Sequence, residues 1–199
     1  MPAIPHLAIY TNNDSRKQDL ANDLLSGRVP EYLTWLKTLR GEFLSNTRIA
    51  SFLREEYRHD HSGLLPEGNQ KLATFSSGER KKALLKFLLS RTPDFLILDN
   101  VFDNLDRAFR GELRAQLQHL SDKVILIQLL SRPGDLLPFI TQKAFLEGGT
   151  LIGYPNYQPS ESGKADPYKF SRPLPPPPVS FDLPSNTLVE FRRATLSYG

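Results

Sequence analysis

The sequence contains no cysteine. Disulfides and thiolate metal sites are therefore excluded, and a reducing compartment is tolerated. Long apolar runs are missing too, with no window near the roughly 18 residues of a membrane span. The N-terminal stretch MPAIPHLAIY lacks the basic start and apolar stretch of a signal peptide. Charge of one sign is scarce: 25 Lys and Arg stand against 22 Asp and Glu, a net charge of +3. No long basic run occurs, so the charge pattern argues against nucleic acid as a partner. The histidines His6, His59, His61 and His119 form no ligand-spaced cluster, and they read as solvated or packed side chains. Neither an internal repeat nor a coiled-coil heptad run is present. Together these absences point to a cytoplasmic chain without a membrane span.

What is there suffices for a packed core. A chain of 199 residues holds one domain, or one domain plus a fragment of another, and 39% of it is hydrophobic. Short apolar runs at His6–Tyr10, Asp94–Asp99, Val124–Gln128 and Lys143–Glu147 read as strands. Gln18–Leu25, Glu79–Arg91 and Arg107–Leu120 carry apolar residues at the three- and four-residue spacing of helices. Strands alternating with helices imply crossover units and a mainly parallel sheet, an α/β fold. From Tyr154 to Asn186 the composition shifts to Pro, Ser, Gly and Tyr, with Pro175–Pro178 suited to a polyproline II conformation. Strand character returns from Leu188 to Gly199.

The most informative stretch is FSSGERKKALLKFLLSRTPDFLILDNVFDNLD, Phe75 to Asp106. Ser76-Ser77-Gly78 makes a turn opening a helix, with Glu79 in the first turn. Exposed N–H groups and the positive end of the helix dipole make that point a potential anion site. Pro93 ends the helix, and the buried strand FLILD ends in the carboxylate of Asp99. Parallel strands ending this way commonly face a ligand crevice at their C-terminal edge. Taken piece by piece, the same features also describe a helix–strand unit whose polar ends simply meet water.

Together, in this order, they resemble the ATP-binding cassette (ABC) ATPases, in particular soluble proteins with two cassettes in one chain. FSSGE is similar to the ABC signature, FLILDN to Walker B with Asp99 as its magnesium ligand, and Asn104-Leu105-Asp106 to the D-loop. The resemblance implies a P-loop NTPase-like nucleotide-binding domain: a mainly parallel sheet flanked by helices, with a helical signature subdomain. It implies ATP and Mg²⁺ as ligands, and a phosphate loop between the first strand and the first helix.

There the sequence departs from the family's G-x-x-x-x-G-K-S/T pattern. Lys17 stands at the Walker A lysine, with Asn13 and Ser15 in the loop before it. Thr11 replaces the first glycine, Arg16 the glycine before lysine, and Gln18 the hydroxyl that binds Mg²⁺. A phosphate loop wraps its N–H groups around oxygen atoms, and β-carbons obstruct that wrapping. Asn100 occupies the place of the catalytic glutamate, and a neutral amide accepts no proton from water at neutral pH. Ser131 occupies the place of the switch histidine. RIASFLREEYRHD stands where a Q-loop is expected and contains no Gln. The antiparallel strands that usually precede the phosphate loop, with their adenine-stacking aromatic, have no counterpart before Thr11.

The losses fall on the chain's own ATP site, while the signature stays usable. ABC cassettes pair head to tail, each nucleotide lying between one phosphate loop and the other cassette's signature. The expected organisation is a degenerate cassette over 1–152, a Pro-rich linker over 153–187, and the first strands of a second cassette over 188–199. Tyr198 falls at that second cassette's adenine-stacking position, as in the first half of a tandem protein. The chain alone is expected to be inactive. Its partner is a second cassette, in cis or in trans, and ATP and Mg²⁺ are bound through that partner. The residues expected at ATP are Lys17, Asn13, Ser15, Asp99, Ser76, Ser77, Gly78, Glu79 and Asp106, with Asp99 at the metal. The alternative is an ATP-independent, ABC-derived scaffold or interaction module.

Overall fold

The computed structural model describes residues 4–61, 63–65, 70–147 and 149–153. The proline-rich stretch and the segment 188–199 lie outside the described residues. The sheet contains β1 (Leu7–Tyr10), β2 (Gly41–Leu44), β3 (Phe95–Asp99), β4 (Ile125–Leu130), β5 (Gln142–Glu147) and β6 (Thr150–Gly153). Their order is β2-β3-β4-β1-β5-β6, and only the β5–β6 pairing is antiparallel. The helices are α1 (Lys17–Leu25), α2 (Asn46–His59), α3 (Ser77–Ser90) and α4 (Arg107–Leu120).

Alternation along the strands produces two apolar layers. Ala8, Leu96, Leu98, Leu126 and Leu130 pack with Leu84, Leu85 and Leu88 of α3 and Leu113 and Leu117 of α4. Leu7, Ile9, Phe95, Ile97, Ile127 and Leu129 pack instead with Leu20, Ala21 and Leu24 of α1. The strands are covered on both faces, which is why they read as near-continuous apolar runs. Each of the fully buried leucines contributes about 1.5–3 kcal/mol by leaving water.

Within the described residues the expected strands and helices form, with ends within two residues of those expected, whereas the strands expected over 188–199 lie outside the described residues. β4 runs two residues beyond Gln128, because Leu129 and Leu130 continue the buried run. β2 and α2 are additions. β2 is short and half polar, but Gly41 lets the Phe95 ring lie over its backbone, where a β-carbon would fall 2.1 Å from Cζ. α2 begins at the Ser45 cap, whose hydroxyl accepts the Arg48 N–H at 3.2 Å. The stretch expected at the Q-loop thus lies in this helix, with its last residue, Asp60, as the C-cap. No helix among the described residues is long and apolar enough to cross a membrane.

Candidate nucleotide site and signature edge

Because β1, β3 and β4 are parallel neighbours, the loops after them crowd one edge of the sheet. Thr11, Asp99 with Asn100, and Ser131 all lie there. The loop between β1 and α1 is closed by its own side chains. The Asn12 N–H donates to Ser15 Oγ at 2.9 Å, and the Asp14 N–H donates to Asn12 Oδ1 at 3.1 Å. Ser15 Oγ in turn donates to Asn12 Oδ1 (2.8 Å) and lies 3.0 Å from the Leu146 carbonyl. The Ser15 N–H faces the Asn12 carbonyl, and the Lys17 N–H folds back onto the Ser15 carbonyl at 2.9 Å. That last bond spans two residues across Arg16, whose φ −79° and ψ 64° are those of an inverse γ-turn. A phosphate-binding loop needs these N–H groups free and convergent. Here five of them, at Thr11, Asn12, Asp14, Ser15 and Lys17, already have partners within the protein.

The lysine is occupied as well. Lys17 Nζ forms an ion pair with Asp99 Oδ1 at 2.9 Å, and both side chains are mostly buried. The two groups expected to hold γ-phosphate and Mg²⁺ therefore hold each other. Gln18 points along the exposed face of α1 towards Asn22, 3.3 Å away, and Asn13 is exposed at the tip of the turn.

Asn100 and Ser131, at the places of the catalytic glutamate and switch histidine, are brought together. The Ser131 N–H donates to Asn100 Oδ1 at 3.0 Å, and Asn100 Nδ2 reaches Ser131 Oγ at 3.4 Å. Thr11 Oγ1 adds a contact to Ser131 Oγ at 3.2 Å. Three strand ends are thus joined by a neutral network with no group able to take a proton from water. Asn100 adopts φ +41°, a left-handed conformation that asparagine tolerates better than most residues.

The signature segment presents a different face. Ser76 caps α3 in a reciprocal capping box: its hydroxyl accepts the Glu79 N–H at 3.3 Å, and its own N–H donates to Glu79 Oε2 at 2.7 Å. Hydrogen bonds from the Ser76 backbone and hydroxyl hold the Glu79 carboxyl below its ordinary range. Ser76 and Ser77 are exposed, whereas Gly78 is buried under Phe109, whose ring atoms would lie 3.1–3.2 Å from an added β-carbon. Asp106 caps α4, accepting the Phe109 N–H at 2.8 Å. The turn before the signature, Leu72–Thr74, is clamped from both sides. The buried Glu56 carboxylate accepts the Leu72 and Ala73 N–H groups, and Arg80 donates to both carbonyls.

Asn12 as a filler of the loop, and Lys81 beneath the signature helix, are site features that the motif comparison missed. The Asn12-x-x-Ser15 spacing was visible as a local turn pattern. Lys81 stood in a helix among other lysines, and nothing in its spacing distinguished it from a solvated residue.

No protein-family model matches the chain. Among curated proteins, the ABC transporter ATP-binding protein ModF of Escherichia coli (strain K12) is 41% identical over 69 residues. That stretch is 35% of this chain and 14% of ModF, so the chain spans only a small part of that relative's length. Among solved structures, a metal-chelate type ABC transporter in an inward-facing conformation superposes with a TM-score of 0.53 at 15% identity. The match covers 77% of this chain and 72% of that one. An ATP-binding cassette of an ABC transporter in its ADP conformation gives a TM-score of 0.50 at 12% identity, over 75% of this chain and 79% of that one. At these identities the structural likeness is one of fold.

Proposed function

We propose that this chain, an ABC ATPase cassette in its fold and with an ABC transporter ATP-binding protein among its curated relatives, lends its signature edge to the ATP site of a second cassette. Its own site neither binds nor hydrolyses ATP. One contrast supports the reading. The phosphate loop has used its N–H groups on Asn12, Ser15 and neighbouring carbonyls, and has tied Lys17 to Asp99. Ser76 and Ser77, by contrast, stand exposed at the start of a 14-residue helix.

Chemically, the partner's loop would hold MgATP, and the positive end of α3 with the Ser76 hydroxyl would face its γ-phosphate. Donors aimed at charge that develops in the transition state accelerate hydrolysis without supplying a base. On this reading 153–187 is the linker between cassettes, and 188–199 opens the second.

A second reading, an ATP-independent interaction module, draws on the structural work of the same residues. Ser76 and Asp106 cap helices, and Gly78 makes room for Phe109.

The test pairs this cassette with a competent one and measures steady-state ATP hydrolysis. Ser76→Arg should abolish most activity by blocking the phosphate, while Lys17→Ala should change it little. Equal losses would show that both sites work, and no loss in either would favour the interaction module.

A further inference from the structure

The loop after β3 turns four consecutive carbonyls, those of residues 101–104, towards α3 and α4, and each accepts a hydrogen bond from a side chain of one of these helices. Lys81 Nζ donates to Val101 O at 2.9 Å and to Asp103 O at 2.5 Å. Arg110 Nε donates to Phe102 O at 3.1 Å, and Ser77 Oγ donates to Asn104 O at 2.7 Å. Lys81 is only 2% exposed, and among the described residues its hydrogen-bond partners are these carbonyls rather than a carboxylate. A buried ammonium held this way is costly unless its donors are satisfied. Within the loop the Asp103 N–H donates to the Asn100 carbonyl at 2.9 Å, and Asn100 and Asn104 both adopt left-handed backbone, at φ +41° and +58°.

We propose that Lys81 is a positioning residue that locks the signature edge and the loop 100–106 into one rigid unit. The inference rests on the signature-lending reading for its purpose, because the exposed Ser76 and Ser77 and the loop's Asn104–Asp106 then meet a partner in one fixed geometry. At its other end the same loop begins beside Asp99, which holds Lys17, so the unit is anchored to the closed phosphate loop as well. Burial pushes the Lys81 ammonium below the usual lysine value, while the Asp103 and Asp99 carboxylates oppose that shift and Arg110 adds to it.

Hydrogen exchange of the full chain, read by mass spectrometry without ATP or partner, tests the lock. Lys81→Met keeps the apolar stem and removes the donors. It should speed exchange at 101–106 and in the first turn of α3 by about tenfold, leaving β1 and β4 protected. Lys81→Arg, which restores donors, should recover most of the protection. Unchanged exchange in Lys81→Met, uniform loss across the sheet, or failure of arginine to rescue would each overturn the proposal. If Lys81→Met does not fold, Ser77→Ala removes one exposed bond and should speed exchange only near Asn104; no change there would also overturn it. Because no nucleotide is involved, this outcome is independent of the paired-cassette ATPase measurement.

Discussion

Lys17 is the residue on which a working and a closed phosphate loop give opposite expectations. In a working loop, its removal would leave the empty protein about as stable as before and weaken nucleotide binding. Here it would leave the Asp99 carboxylate mostly buried and without its cation, the side chains being 27% and 20% exposed. Exposed pairs contribute about 0–1 kcal/mol, and breaking a fully buried one costs about 3–5 kcal/mol. A pair at this depth lies between, so Lys17→Met should cost about 2 kcal/mol. For a chain of this size that lowers Tm by roughly 4–8 °C. Asp99→Asn should cost less, since the lysine stem can carry its ammonium to water. The double variant should fall short of the summed losses by about 1 kcal/mol, the coupling expected of directly bonded residues. Urea and thermal unfolding of the four proteins, each with and without MgATP, measure all of this. A Lys17→Met protein with unchanged Tm, beside a parent stabilised by MgATP, would refute the closed-loop account.

Other consequences follow from single contacts. The isolated chain should show no Mg²⁺-dependent ATP hydrolysis above background; turnover that vanishes in Asp99→Asn would contradict the inactive site. Gly41→Ala should destabilise by about 1–3 kcal/mol, because its β-carbon would overlap the wholly buried Phe95 ring. Phe95→Leu in the same chain should recover part of that loss in denaturant titrations. Stability should also fall with acid from about pH 6.5 downward through His6. Its Nδ1 accepts the Leu126 N–H at 3.0 Å, and burial lowers its pKa from 6.5, against opposing effects of the Ser121 backbone and Asp122. The folded state therefore binds fewer protons than the unfolded state within that window, and stability is lost as pH falls through it. His6→Gln should flatten this part of the stability–pH curve, and an unchanged slope would remove His6 as the cause.

The fold was legible where burial leaves a periodic trace. FLILD and VILIQLL are apolar except for Asp99 and Gln128 because helices cover both faces of their strands, and α3 and α4 announce themselves by leucine spacing. β2 was not legible. Its four residues include Gly41 and Glu42, and what makes them a strand is pairing to β3 and the cover of Phe95, both long-range. Glu42 accepts from Arg48 at 2.8 Å and Arg91 at 2.7 Å, linking β2 to α2 and the end of α3. Ion pairs between distant segments leave no local pattern to read.

The site divides along the same line. Substitutions at Thr11, Arg16, Gln18, Asn100 and Ser131 were visible as departures from a motif, but a departure says only what a loop has lost. The structure adds what fills the vacated role: side-chain oxygens of Asn12 and Ser15 on the loop's N–H groups, Asp99 on Lys17, and Asn100 on Ser131. A loop that had merely drifted would leave polar groups unpaired at a crowded sheet edge, which is costly. Among the described residues no buried side-chain nitrogen or oxygen lacks a partner. The closed loop is thus a satisfied structure in its own right, and nucleotide entering it would have to displace bonds already made. Ser76 and Ser77 are bonded too, to Glu79 and to the Asn104 carbonyl, but both stand exposed at the start of α3. That difference in exposure is the physical reason to look for this chain's activity in what it offers a partner.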